Sequence, residues 1–353
     1  MARTPDGRNA TRLVGSTTHR FGLLVVLAVA LLAAACTPPK PPPPGPPPGG
    51  PPPGGPPPAG PIAYVANRDD DTVTPIVVAT NTPGPPIPVG DGPYGVAITP
   101  DGATAYVVNS FDDSVTPIAV ATNTSGTPIP VGDNPEAVAV TPDGATAYVT
   151  NISDGTVTPI AVATNTPGAP IPVGNSPLGV AVTPDGATAY VANSDDGTVT
   201  PIAVATNTPG APISVGDVPY GVAVAPDGAT AYVANFSDGT VTPIAVATNT
   251  PGAPIPVGNS PLGVAVTPDG ATAYVTNFDD GTVTPIAVAT NTPGGPIPVG
   301  DGPYGVAVTT DGATVYVANS NDGTVTPIAV ASNTPGSPIP VGNVPTGVAI
   351  APG

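Results

Sequence analysis

Hydrophobic and polar positions alternate in short runs along this chain, and the runs return every 42 residues. One unit shows the pattern. Gly179 to Thr183 and Ala187 to Asn193 flank the turn Pro184-Asp185-Gly186, and Asp196-Gly197 leads into Thr198 to about Thr206 and then Pro212 to Val215. A period of two, with no helical spacing anywhere, predicts extended strands, here labelled a to d. The turns carry their own chemistry, because proline presets φ and glycine admits positive φ.

The phase of the repeat says how the strands assemble. The tyrosine of run b recurs at Tyr64, Tyr106, Tyr148, Tyr190, Tyr232, Tyr274 and Tyr316, while run a begins at Gly95, Ala137, Gly179, Gly221, Gly263, Gly305 and Gly347. Six complete units therefore run from Gly95 to Pro345, preceded by b, c and d alone and followed by a alone. Four antiparallel strands at this period are the signature of propeller blades. The expected fold is all-β, a seven-bladed β-propeller of four-stranded antiparallel blades over residues 62–353. Its ring is expected to be sealed by pairing Ala63 to Asn67 with Gly347 to Ile350. Strand c carries a proline in every unit (Pro201 in the one above), and d repeats Ile-Pro-Val with Ser214 as the one exception. Each proline removes a ladder donor, so a thinly bonded outer half, protected against edge-to-edge addition, is expected.

Composition modifies this picture at the N-terminus. With 57 prolines and 44 glycines, the chain would suggest disorder without the period. Residues 1–35 read as a signal peptide: Arg3, Arg8, Arg12 and Arg20, an apolar run from Phe21 to Leu32 that is too short to span a bilayer, then Ala33-Ala34-Ala35. Before Cys36 this segment resembles a bacterial lipoprotein signal, with Ala33 where such signals prefer leucine, and implies lipidation of Cys36. The alternative is ordinary secretion. Cys36 is the only cysteine, which excludes an intrachain disulfide. Residues 36–61 form a Pro/Gly-rich tether. The protein is thus expected outside the cytoplasm, on the cell membrane or surface through a lipid anchor alone, as a monomer.

All but one of the 24 acidic residues follow the signal, where Lys40 and Arg68 are the only bases. Nucleic acid is excluded as a partner, since no cluster of lysine and arginine exists to meet phosphates. Strong acidity favours solubility and basic or cationic partners.

The strings Tyr148-Val149-Thr150-Asn151 and Tyr274-Val275-Thr276-Asn277, each preceded by Pro-Asp-Gly-Ala-Thr-Ala and followed by a Thr-Val run and a Pro-Val-Gly strand, resemble the YVTN family of β-propeller repeats. The resemblance covers nearly the whole chain after the tether. It implies an extracytoplasmic propeller and no single activity. Strand c has Pro-Ile-Ala-Val where that family commonly has Val-Ile-Asp.

Candidate chemistry is sparse. His19, the only histidine, lies in the signal, which leaves no histidine base or ligand and no serine–histidine or cysteine nucleophile. Carboxylates remain. One series follows the Pro-Val-Gly strand (Asp91, Asp133, Asn175, Asp217, Asn259, Asp301, Asn343) and a second lies three residues after the strand-b asparagine (Asp70, Asp112, Asp154, Asp196, Asp238, Asp280, Asp322). Both belong on one face. Turn chemistry accounts for them. Calcium, a hard cation taking six to eight oxygens, is the alternative, with Asp91, Asp133, Asp217 and Asp301 as ligands and no other cofactor expected. On the same face Tyr94, Tyr220 and Tyr304 are expected in d-to-a loops and Phe111, Phe236 and Phe278 in b-to-c loops, a possible binding face for an unidentified protein or surface ligand. Glu136, the only glutamate, and Arg68 break the repeat but are single residues. The expected function is a non-catalytic binding scaffold and not an enzyme. The alternatives are a metal-dependent hydrolase or lactonase-like propeller enzyme, in which near-identical blades leave little room for an asymmetric site, and a structural surface-layer component.

Overall fold

The structure, a computed structural model, describes residues 60–353. The expected signal peptide, Cys36 and nearly all of the expected tether lie outside the described residues. Within them the chain forms a seven-bladed β-propeller, one sheet per blade. The third blade is representative. Strands a (Pro177–Val182), b (Thr188–Asn193) and c (Thr198–Ala203) are six residues each and pair antiparallel in sequence order. The seventh blade is composite. Ile62–Asn67 supplies its strand b and pairs on one side with Thr72–Val77 and on the other with the chain's last strand, Pro345–Ala351. The register Ala63 with Ile350 and Val65 with Val348 is the sealing pair expected from the phase of the repeat.

The outermost strand departs from the single run d that was expected. It is broken into Thr208–Pro209, which pairs with the end of c, and Ile213–Ser214, which pairs with its start. Pro201 explains the break. Its carbonyl accepts the Gly210 N–H at 2.7 Å, so the residue's hydrogen-bonding side faces outward. The donor that proline lacks is therefore missing from the outer ladder and not from the b–c ladder. The inner three strands keep full register despite a proline in every unit.

Apolar side chains fill the seven spaces between blades. Tyr190, Val199 and Ile213 of the third blade meet Ala231, Val233 and Ile244 of the fourth, and the same set repeats around the ring to the composite blade. Each repeat tyrosine also crosses to its neighbour. The Tyr190 hydroxyl donates to Asn249 Oδ1 at 2.5 Å, and Tyr64 and Tyr316 do the same across the two seams of the composite blade, to Asn123 and Asn81. Burial holds these phenols above their ordinary range, that of Tyr64 at about 12, so they remain donors. The asparagine ending strand b is wholly buried and shared. In the second blade Asn151 Oδ1 accepts the Gly132 N–H, and its Nδ2 donates to Thr156 and Thr158. It ties the end of strand b and the start of strand c to the loop entering the blade.

Candidate functional site

Strand a positions the site. In every blade its register against b shifts: between Pro177 and Val180 the two residues Leu178 and Gly179 stand opposite the single Ala192. This is a β-bulge, which re-aims a side chain. The re-aimed positions around the ring are Tyr94, Glu136, Leu178, Tyr220, Leu262, Tyr304 and Thr346. The next residue must be small. A Cβ on Gly179 would fall 2.3 Å from the Tyr220 carbonyl oxygen of the neighbouring blade. Where strand b has threonine, its hydroxyl serves the bulge: Thr150 Oγ1 accepts the Ala137 N–H at 3.0 Å and donates to the Leu178 carbonyl at 2.7 Å.

Side chains from non-adjacent blades meet at this level, and blades so far apart can touch only at the axis. Tyr220 of the fourth blade donates to Glu136 Oε1 of the second at 2.5 Å, and Tyr304 of the sixth donates to the same oxygen at 3.1 Å. The Tyr304 ring lies edge-to-face with Tyr94, centroids 5.5 Å apart, and with Tyr220 at 5.7 Å. Arg68, in the b-to-c turn of the composite blade, is close enough that its charge acts on both Tyr94 and Glu136, while its Nε donates to Asp69 Oδ1 at 2.9 Å. Glu136 is 7% exposed and the three tyrosines are partly exposed. Burial pushes the Glu136 carboxyl up to about 7, against the opposing Tyr220 hydrogen bond and Arg68 charge. Burial and then the charge of Glu136 hold Tyr94 and Tyr220 above the usual tyrosine range.

Sequence reasoning placed these tyrosines in loops with the phenylalanines. The structure corrects this. The tyrosines start strand a and converge on the axis, whereas Phe111, Phe236 and Phe278 stay in the b-to-c turns. Phe111 is 66% exposed and lies over Gly92, and Phe236 lines a shallow groove between blades with Asn259, Ser260 and Asp279. Glu136 and Arg68, set aside as single residues, belong to the cluster. The signal that could have found them was present: Glu136 and Arg68 each stand in one of the few columns that vary from unit to unit in an otherwise uniform repeat.

The two acidic series do share one face, tied by turn bonds. Asp112, Asp154, Asp238 and Asp322 each accept the backbone N–H of Asp91, Asp133, Asp217 and Asp301 at 2.7–2.9 Å. Where the first series has asparagine, its amide also donates, as Asn175 Nδ2 to Asp196 Oδ1 at 2.8 Å. Among the described residues, no three His, Cys, Asp or Glu side chains group so as to hold a metal ion.

No family model matches this chain, and no curated protein matches it. Solved structures do. A hydrazine synthase chain from Kuenenia stuttgartiensis is 25% identical, with 72% of this chain and 88% of that one covered and a TM-score of 0.67. A protein of unknown function from Desulfotomaculum acetoxidans (18% identical, 82% and 98% covered) scores 0.72, and a candidate 6-phosphogluconolactonase from Bacteroides uniformis (16% identical, 82% and 99% covered) scores 0.70. The expectation that this chain is not an enzyme is thereby corrected, because propellers of this shape include enzymes. Its premise fails too. Near-identical blades do carry an asymmetric centre here, since the bulge lets one position per blade vary while the framework stays constant.

Proposed function

We propose that this chain is an exported, lipid-anchored propeller of the YVTN repeat kind that presents one acidic face at the cell surface and binds a ligand at the axis of that face. The convergence of Glu136, Tyr94, Tyr220, Tyr304 and Arg68 carries this reading. These residues interrupt the repeat, come from five blades and meet at one point, which a purely structural ring would not need. The signal-like first 35 residues and Cys36 support export and anchoring, and the seven in-register YVTN-like strings support the repeat kind.

A second reading is catalysis at the same carboxyl. A group that titrates near neutrality, with hydroxyl donors on one oxygen, suits general acid–base work, and the enzymes among similar folds favour it.

The test is a screen of small amines, carboxylates, sugars and lactones against the full-length protein and its Glu136→Gln and Tyr220→Phe/Tyr304→Phe variants, reading the thermal midpoint and any turnover. A compound that raises the wild-type midpoint should lose its effect in the axial variants. Equal shifts in all three proteins would place binding elsewhere.

A further inference from the structure

The two oxygens of Glu136 are in different situations. Oε1 takes both tyrosine hydroxyls. Oε2 accepts no hydrogen bond from the described residues, although no fully buried side-chain oxygen or nitrogen among them lacks a partner. Oε2 therefore borders accessible space while the residue around it is buried. A carboxylate so placed is short of compensation, because two neutral hydroxyls on one oxygen do not replace its lost hydration. Arg68 does not make up the deficit. Its Nε is engaged by Asp69, and burial still prevails over its charge at Glu136.

What would complete the site is a positively charged hydrogen-bond donor. A metal cation of the calcium type would need several oxygen ligands, and no such group of side chains exists among the described residues. An ammonium group needs one acceptor and suits aromatic walls, since tyrosine faces attract cations. Two such rings meet this carboxyl through their hydroxyls, and the third, Tyr94, packs edge-to-face against Tyr304 beside it. The same face carries both turn aspartate series, whose summed field concentrates cations, whereas Asp101, Asp143, Asp185, Asp227, Asp269 and Asp311 lie on the opposite face. Resting on the axial-site reading above, we propose that the ligand is a small primary ammonium compound whose N–H groups bond Glu136 Oε2 while Tyr94, Tyr220 and Tyr304 enclose its charge. The groups facing Glu136 are these tyrosines, from the first, fourth and sixth blades, and Arg68 backed by Asp69 from the composite blade. Binding requires the ionised carboxylate, so it takes up the amine and releases a proton.

The experiment titrates full-length protein with methylammonium chloride, tetramethylammonium chloride and sodium chloride at equal ionic strength, at pH 5.5 and pH 8. The readouts are tyrosine fluorescence, unobscured because the chain has no tryptophan, and calorimetry. Methylammonium should give a saturable response at pH 8 that is at least tenfold weaker at pH 5.5, with proton release between them. Glu136→Gln should weaken it at least tenfold at pH 8. Tetramethylammonium, having no N–H, should bind more weakly than methylammonium. Equal responses to sodium and methylammonium, or undiminished binding by Glu136→Gln, would overturn the proposal. Tetramethylammonium binding as tightly as methylammonium would do so too, by showing that no N–H reaches Oε2. A neutral or anionic compound that binds wild type but not the axial variants would overturn the ammonium assignment while leaving the axial site standing.

Discussion

Ionisation of Glu136 works against the fold. Its carboxyl titrates near 4.5 when free and near 7 in the ring, chiefly through burial. The native state therefore holds the proton more tightly than the unfolded chain. Stability from this group is complete below about pH 4.5 and is lost as pH rises through about 7, an effect of about 3 kcal/mol. The turn aspartates Asp101, Asp143, Asp185, Asp269 and Asp311 act in the opposite sense. Threonine hydroxyls first, then backbone N–H groups, hold them below the ordinary carboxylate range, so their contribution is lost only in more acidic solution. Denaturant titrations of Glu136→Gln between pH 4.5 and 8 should lack the decline seen in wild type. A variant that declines equally would show that Glu136 is not held protonated by the fold. Sequence alone gave the rarity of this residue but not its burial, because burial came from side chains 84 and 168 positions away.

Among the elements, strand b holds most of what the repeat conserves. Its tyrosine fills one inter-blade space and bonds across that same space, and its asparagine ties the end of the strand to the loop entering the blade. Removing the hydroxyl in Tyr190→Phe keeps the packing and leaves Asn249 without its partner, so the loss should be about 1 kcal/mol, seen as a lowered urea midpoint with an unchanged slope. No change would mean that water replaces the hydroxyl fully. The existence of strands a, b and c, the turns between them and the prolines of c were legible from the sequence, although strand a starts two residues before its expected run, at Pro177. Two features of the elements were not. The break in the outer strand depends on which side of c each proline faces, and the bulge in a depends on how many residues oppose one across a ladder. Both are properties of register, which a single strand does not contain.

For the molecule as a whole, closure is the decisive feature. Seven interfaces repeat with no free end, and the last strand completes the composite seventh blade through Val348, Ile350 and Ala351. Deleting residues 347–353 removes that pairing and its buried apolar area, and should cost on the order of 5 kcal/mol, with a clear drop in thermal midpoint. An unaltered midpoint would show that the ring does not rely on its seam. The ring also brings residues of separate blades together. Glu136, Tyr220 and Tyr304 are far apart in the chain and share a hydrogen-bonded oxygen only because seven equivalent positions face one axis.

The sequence by itself determined the strands, the number of blades, the place of the seam and the sharing of one face by two acidic series. All of these follow from local alternation and from the phase of a repeat, which each unit states on its own. Only the tertiary structure decided that the few non-repeated residues form one centre, that its carboxyl is buried with one oxygen saturated and the other open, and that the phenylalanines stand apart from it. A repeat records what every blade shares, whereas a site at the axis is made from how the blades differ, and those differences acquire a common location only once the ring has closed.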